Sequence, residues 1–456
     1  VNSTAPVPTS ADVIIENVLV MQHDDDDCID FLAGHAIVIK GGVITAVLPV
    51  AEAASIRATT RIDGCGQVAM PGLINCHTHS PMTMFRGVAE DVPAEDWFNK
   101  YIWPMEVNLT DSDVRLGANL AMAEMIASGT TTFADHYFAM DAVADAVTES
   151  GLRANLGWTY FSSDGKAGLE KSLEFALRRR GTADGRIQTS LAPHGTYTVN
   201  DADLETTAAL ALEHDLLVHI HAAESRAESR RSVAVTGFSP IQVLENTGVL
   251  HARTLIAHGT GIVADDIPIL ARHAHNVGVA SAPKGYLKMA WDTTPVRLLR
   301  SGGIAVGLAT DGAASNNTLD VWESMMFTAL IQKSVETDPT YMPAQMALWH
   351  ATTGSARALG MQDHIGKLAT GFKADIILID LSGPHTQPIH NVASTLVYSA
   401  RSADITTTIV DGNILMADRI LRTVDIAPTM AALVPRLSAL TDLSHGKTLQ
   451  TYGDQA

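Results

Sequence analysis

Cysteine is scarce in this 456-residue sequence, with only Cys28, Cys65 and Cys76. Three irregularly spaced thiols rule out a disulfide framework and a cysteine-rich zinc site. They fit a reducing, intracellular setting. Basic residues are also few: 31 Lys and Arg stand against 50 Asp and Glu, a formal net charge of -19. Binding along a phosphate backbone needs a basic face, so this balance argues against nucleic acid as a partner. No apolar run reaches the roughly 18 residues of a membrane span. Residues 1–11 have neither the basic nor the apolar stretch of a secretory signal. A soluble, cytoplasmic protein is therefore expected. Several catalytic signatures are missing too: His-Glu-x-x-His, His-x-Glu with Pro-Cys-x-x-Cys, Gly-x-Ser-x-Gly, a phosphate loop, and Gly-x-Gly-x-x-Gly after a strand. Zincin, cysteine-ligated deaminase, serine hydrolase and dinucleotide-binding readings go with them.

What is present is 46% hydrophobic composition, ample for a large core, and a long alternation of short apolar runs with helical stretches. Candidate strands end at Asn75, His136, Tyr160, Pro193, His221, His258, Ser281 and Asp311. Between them, segments such as 116–128 and 201–213 carry Ala and Leu at helical spacing. Eight such units predict an α/β fold, a (β/α)8 TIM barrel over residues 68–360. Residues 12–20, 36–40 and 43–48 read as strands, the last two joined at Gly41-Gly42. At the other end, 374–380, 405–410 and 414–416 repeat the pattern, with Asp411-Gly412-Asn413 as a turn. These predict a small β-sandwich domain composed of 1–67 and 361–456. The acidic run 24–27 reads as a solvated turn, since it lacks the alternating ligands and glycine of a calcium loop.

The histidines and acids fall where a barrel would use them. His77 and His79 follow the first strand (68–75), His194 follows the fourth, His221 closes the fifth, His258 the sixth and Asp311 the eighth. Barrel active sites are assembled at the C-terminal ends of strands, so residues scattered in sequence converge in space. A lone histidine is more often a core residue than a ligand, and among 18 histidines some reach strand ends by chance; His214, His273 and His275 read as surface residues on helices. Residues i and i+2 of a strand share a face, so His77 and His79 can grip one ion. His221 and Asp311 complete a nitrogen and oxygen set suited to zinc or iron. Glu224 lies three residues beyond His221, within reach of a water activated by that ion without being a ligand. A bound cation lowers the water's pKa toward about 7, and the carboxylate can accept the proton. The plainer alternative makes Glu224 a helix cap or a partner of Arg226, Arg230 or Arg231.

The run Pro71-Gly72-Leu73-Ile74-Asn75-Cys76-His77-Thr78-His79-Ser80-Pro81-Met82-Thr83 resembles the first-strand signature of the amidohydrolase superfamily. Phe85-Arg86-Gly87-Val88-Ala89-Glu90-Asp91, Trp103-Pro104-Met105-Glu106, His219-Ile220-His221-Ala222-Ala223-Glu224-Ser225 and Thr310-Asp311-Gly312-Ala313-Ala314-Ser315-Asn316-Asn317 narrow it. They are similar to the methylthioadenosine/S-adenosylhomocysteine deaminase group, whose relatives include the s-triazine hydrolases. The likeness runs over nearly the whole chain. It implies one divalent metal ion, zinc first and iron second, on His77, His79, His221 and Asp311. Residues 190–194 hold no lysine of the kind that binuclear members carboxylate. In the same way Glu224 matches the proton shuttle, His258 the partner of the attacking hydroxide, and Asp311 the acid that also orients it. Glu106 and His194 match substrate contacts, Glu106 at the place that holds ribose hydroxyls; Trp103, Trp158 and Ser315 are placed with them. The implied activity is hydrolytic deamination of an amino-substituted N-heteroaromatic ring of the adenosine-thioether type, by a homo-oligomer (dimer or tetramer). Two departures leave an alternative open. Residues 281–289 lack the group's His and Ser-Asn pair, and Trp158 stands where some nucleoside-acting members carry arginine. The alternative is an s-triazine hydrolase removing amine, alkylamine or chloride. The chlorohydrolase carries Asn after the last ligand, and Gly312 here weighs against dechlorination. A non-catalytic barrel is the third possibility, against which the intact ligand set stands.

Overall fold

A computed structural model describes residues 8–24 and 27–453. Eight strands pair in chain order: Leu73–Thr78, Thr130–Tyr137, Arg153–Tyr160, Ile187–Pro193, Leu217–Ala222, Thr254–His258, Val277–Ser281 and Ala305–Leu308. All neighbouring pairs are parallel. Nearly every strand residue is buried, because helices cover one face and the barrel interior the other. The ring closes between the last and first strands through polar contacts. Asp311 donates its backbone N–H to the His77 carbonyl at 3.0 Å. Asn75 meets Thr310 twice, with its amide on Oγ1 at 2.7 Å and its Oδ1 on the backbone N–H at 3.0 Å. Closure therefore brings the candidate ligand of the eighth strand beside the candidate ligands of the first.

The outer helices begin where local chemistry allows. Thr110 and Asp113 form a reciprocal capping box at the start of Asp111–Ala127, and the Asn200 side chain caps Asp201–His214. Asp215, in a left-handed conformation, ends the second.

The β unit expected from both termini is a nine-stranded mixed sheet. Ser10–His23, Ile29–Lys40, Val43–Pro49, Arg57–Asp63 and Val68–Pro71 come from one end, and Ile376–Ile379, Ile405–Val410, Asn413–Ala417 and Ile420–Leu421 from the other. Alternating residues Val13, Ile15, Ile37 and Ile39 share an apolar core with Ile376, Leu378 and Ile409. One expectation needs correcting: residues 68–75 are two strands rather than one. Val68–Pro71 pairs with Ser10–His23 and Ile376–Ile379, and only Leu73–Thr78 enters the barrel. The break falls at Gly72, where a Cβ would lie 2.1 Å from the Thr131 side chain. The helix Ile426–Leu433, absent from the sequence reading, packs along Asp111–Ala127, and Arg436 grips Asp113 at 2.8 and 2.9 Å.

The sequence reading of residues 1–7, and of Asp25 and Asp26, lies outside the described residues. Asp27 is not simply solvated, since it pairs with Arg357 and Lys367. Among the described residues no helix is long and apolar enough to cross a membrane.

Barrel and sheet are joined by a buried ion cluster. Arg153, at the start of the third barrel strand, donates to Asp375 at 2.8 and 3.1 Å and to Asp411 at 2.8 Å, and Arg153 and Asp375 are almost fully buried. Removing one partner of such a cluster strands the other charges in a low dielectric. Arg153→Ala is therefore expected to destabilise the fold by about 3–5 kcal/mol. A thermal midpoint equal to the parent's would show that the cluster does not join the two units.

Candidate active site

At the C-terminal mouth of the barrel His77, His79, His221, His258 and Asp311 converge. Two overlapping groups, His77/His221/His258 and His77/His79/Asp311, have ligand-type atoms all within 4.8 Å of one another. The imidazoles are oriented from behind. His77 Nδ1 faces His219 Nε2 at 2.8 Å, His79 Nδ1 donates to the His136 carbonyl at 2.6 Å, and His221 Nδ1 donates to the His194 carbonyl at 2.6 Å. Each Nε2 is thereby left to face the centre, as outer partners of metal-binding histidines leave it. His77 Nε2 is buried without a hydrogen-bond partner, and Asp311 Oδ1 lies 3.5 Å from it and 3.2 Å from His79 Nε2. An orphaned buried nitrogen costs free energy unless something fills the gap. Three imidazoles and a carboxylate suit a divalent ion.

The electrostatics agree. Burial pushes His77 down to about 4 and His258 to about 3, and it holds His221 well below the usual histidine value, so their lone pairs are free. Burial would lift Asp311, but the His77 and His79 rings hold it well below the carboxylate range. His79 is drawn up by Asp311 despite burial, and a cation binding there displaces such a proton. His258 and Asp311 have left-handed backbones, with φ of 76° and 60°. For residues with a Cβ this is strain of the order of 1–3 kcal/mol each, of the kind held at functional sites.

Glu224 sits at the rim of the cluster, buried rather than paired with a surface arginine. Tyr197 donates to its Oε2 at 3.0 Å, and its Oε1 lies 3.9 Å from His258 Nε2. Burial first, and the nearby Glu228 second, push its carboxyl up to about 8. Arg226 pairs instead with Asp292. Glu106 also lines the pocket and is buried. Tyr137 donates to its Oε1 at 2.6 Å, while burial raises it to about 7. Trp103 and His194 line the same cavity, with ring centroids 6.0 Å apart. Ser315 does too, and it donates to Asp311 Oδ2 at 2.6 Å, which makes it a support for that carboxylate.

Trp158 is a correction. It lies one strand position from Thr159, which lines the pocket, and alternation turns it to the outer face. There it packs on Phe175, under Lys171. Within 281–289 the short helix Pro283–Lys288 presents Gly285 and Tyr286 to the cavity, and Met289 follows. His273 is also not a surface residue: it is buried in the turn after Ile267–Arg272, against Glu245 and His251. Those three form another group within ligand distance, but Arg272 holds Glu245 at 2.7 Å.

Tyr197, Tyr137 and His219 were missed. His219 repeats with His221 the i, i+2 spacing already used for His77 and His79, so a signal was available. The tyrosines carried none, since their roles depend on partners 27 and 31 residues away.

Residues 68–415 match the model of the amidohydrolase family. A 5-methylthioadenosine/S-adenosylhomocysteine deaminase of Desulforudis audaxviator is 44% identical over 415 residues, covering 91% of this chain and 95% of the relative. One from Thermococcus onnurineus is 43% identical, over 84% and 91%. An adenosine deaminase from Xanthomonas campestris, solved with bound zinc, superposes with a TM-score of 0.89 at 34% identity, covering 95% of this chain and 99% of that one. A zinc complex of atrazine chlorohydrolase from Arthrobacter aurescens gives 0.82 at 25% identity, over 94% and 100%. In sequence, fold and histidine cluster alike, the chain belongs to the amidohydrolase family, with the methylthioadenosine/S-adenosylhomocysteine deaminases among its relatives.

Proposed function

We propose that this protein is a mononuclear metal-dependent aminohydrolase acting on an adenosine-type thioether, with methylthioadenosine and S-adenosylhomocysteine as the substrate class. The carrying observation is a buried carboxyl, Glu224, with one oxygen tied to Tyr197 and the other turned toward His258 at the rim of the histidine cluster. His77, His79, His221 and Asp311 would hold one zinc or iron ion, and the ion supplies the Lewis acidity that makes water nucleophilic near neutral pH. Glu224 takes the water's proton on Oε1 and delivers it to the ring nitrogen. The C–O bond forms, the C–N bond breaks, and ammonia leaves with the remaining proton. His258 and Asp311 orient the attacking oxygen, and Ser315 steadies Asp311. Trp103 and His194 wall the ring. Glu106, with Oε1 held by Tyr137, has Oε2 for ribose hydroxyls. The barrel is assigned to about residues 68–360 and the composite β unit to 1–67 and 361–456, which shares Val68–Pro71. A cytoplasmic setting, supported by the sparse thiols, and a homo-oligomeric state, dimer or tetramer, implied by the family resemblance, complete the reading.

The s-triazine alternative has lost part of its motive, since Trp158 faces away from the pocket. At Gly312 a Cβ would come within 2.6 Å of the Met82 sulfur, so an asparagine there requires the Met82 side chain to move. Incubating the zinc-loaded protein with methylthioadenosine, S-adenosylhomocysteine, adenosine and a set of amino- and chloro-triazines separates the two. Ammonia from the nucleosides is expected; chloride or amine from the triazines alone would overturn the proposal.

Glu106 gives a prediction of its own. Burial holds its folded pKa at about 7, above the 4.5 of a free glutamate. Below pH 4.5 both states are protonated; as pH rises, the unfolded chain loses its proton first, and the burial penalty grows until about pH 7. Glu106→Gln should therefore stabilise the fold at pH 8 by on the order of 3 kcal/mol at most, seen as a higher thermal midpoint, and leave the midpoint unchanged near pH 4. The same change should raise KM for nucleosides and not for the free base. A midpoint that shifts equally at both pH values would disprove the assignment.

A further inference from the structure

Residues 441–453 run across the barrel mouth, and their contacts end on the pocket wall. Asn108 donates to the carbonyls of Leu440 and Asp442, at 3.2 and 2.8 Å, and Gln450 donates to Ser163 at 3.2 Å. Asn99 grips Tyr452 at both backbone ends: its amide donates to the Tyr452 carbonyl and its Oδ1 accepts the Tyr452 N–H, both at 2.7 Å.

The Tyr452 ring is buried. It stacks on Phe98 at 4.7 Å between centroids and 16° between planes, and meets Tyr197 edge-on at 5.5 Å. Phe98 in turn packs against Trp97 and Trp103, each at 4.8 Å, and all three line the substrate cavity. Tyr452 does not touch that cavity. It joins two parts of its lining: the aromatic wall, and the tyrosine that holds Glu224.

This wall needs outside support. Residues 94–106 form one continuous helix whose middle, Trp97–Ile102, is a wide π-type turn. An isolated helix of about 12–15 residues or fewer is marginal in water, and π-type turns within helices are rare. A wall that had to be ordered on each binding event would weaken binding by that ordering cost.

We propose that residues 441–453 are a strap that preorders the Trp97–Trp103 wall, with Tyr452 as the positioning residue that transmits its hold to substrate affinity. The affinity part rests on the deaminase reading above; the strap itself does not.

The test compares Tyr452→Ala and Tyr452→Phe with the parent, all zinc-loaded, by amide hydrogen exchange and by ammonia release from methylthioadenosine. In Tyr452→Ala, exchange over residues 97–106 should quicken, and KM should rise by about tenfold with kcat changed by less than about threefold. Tyr452→Phe keeps the stacked ring and should match the parent in both. Unchanged exchange in Tyr452→Ala overturns the strap. Quickened exchange with KM unmoved overturns the link to affinity, and damage in Tyr452→Phe equal to that in Tyr452→Ala overturns the stacking role. If the parent releases no ammonia from any nucleoside, the deaminase reading falls, and the exchange comparison still decides the strap.

Discussion

Glu224→Gln is expected to bind metal as the parent does and to lose activity by about a thousandfold or more in kcat. The two side chains have the same outline, and glutamine's amide oxygen can accept the bond that Tyr197 now donates at 3.0 Å. What glutamine cannot do is take a proton from water and return it to a ring nitrogen. Folding should not suffer. Burial holds the carboxyl's folded pKa at about 8, above the 4.5 of a free glutamate, so the charged form opposes folding increasingly from about pH 4.5 to 8, and a neutral amide relieves that burden. Metal content by elemental analysis, the unfolding midpoint and ammonia release give three independent readouts. More than a tenth of parental kcat in a metal-replete, folded variant would remove Glu224 from the proton path.

Metal removal is the second large effect. Dialysis against a chelator should take the rate below about 1% of its starting value, and zinc should restore it. The unfolding midpoint should fall with the ion, because ligand at a thousandfold excess over Kd contributes about 4 kcal/mol. The physical cause lies in the donor set: the imidazoles and the Asp311 carboxylate converge, with Asp311 Oδ1 3.5 Å from His77 Nε2 and 3.2 Å from His79 Nε2. His77→Ala and His221→Ala should bind no zinc. His258→Asn distinguishes two assignments for a residue that lies within ligand distance of both His77 and His221. As the partner of the attacking oxygen it should keep the metal and lose rate; loss of metal would make it a ligand. Full activity after exhaustive chelation would end the metal reading altogether.

Much of this site was legible in the residues themselves. Alternating apolar runs placed six of the eight barrel strand ends within one residue of where they fall. Only the first, expected at Asn75 and observed at Thr78, and the last, expected at Asp311 and observed at Leu308, were three out. Histidines and aspartate at those ends marked the cluster, because in a parallel barrel a strand's C-terminal end is a position in space as well as in sequence. Trp158 shows where this kind of inference stops. Its neighbour Thr159 lines the cavity, and a single step along a strand reverses the face. Locating the strand was not enough to fix which of the two pointed inward.

The sequence by itself determined the order of the barrel strands and the residue types able to hold an ion and move a proton. Both follow from local periodicity and side-chain chemistry. The tertiary structure decided which nitrogen of each histidine faces the centre, that Tyr197 rather than an arginine holds Glu224, that the chain leaves its terminal sheet at Gly72, and that Tyr452 reaches the pocket wall. Each of these depends on closure, strand register or a contact between residues far apart in the chain. Such pairings are selected by the packing of the whole molecule, and short-range sequence patterns do not encode them.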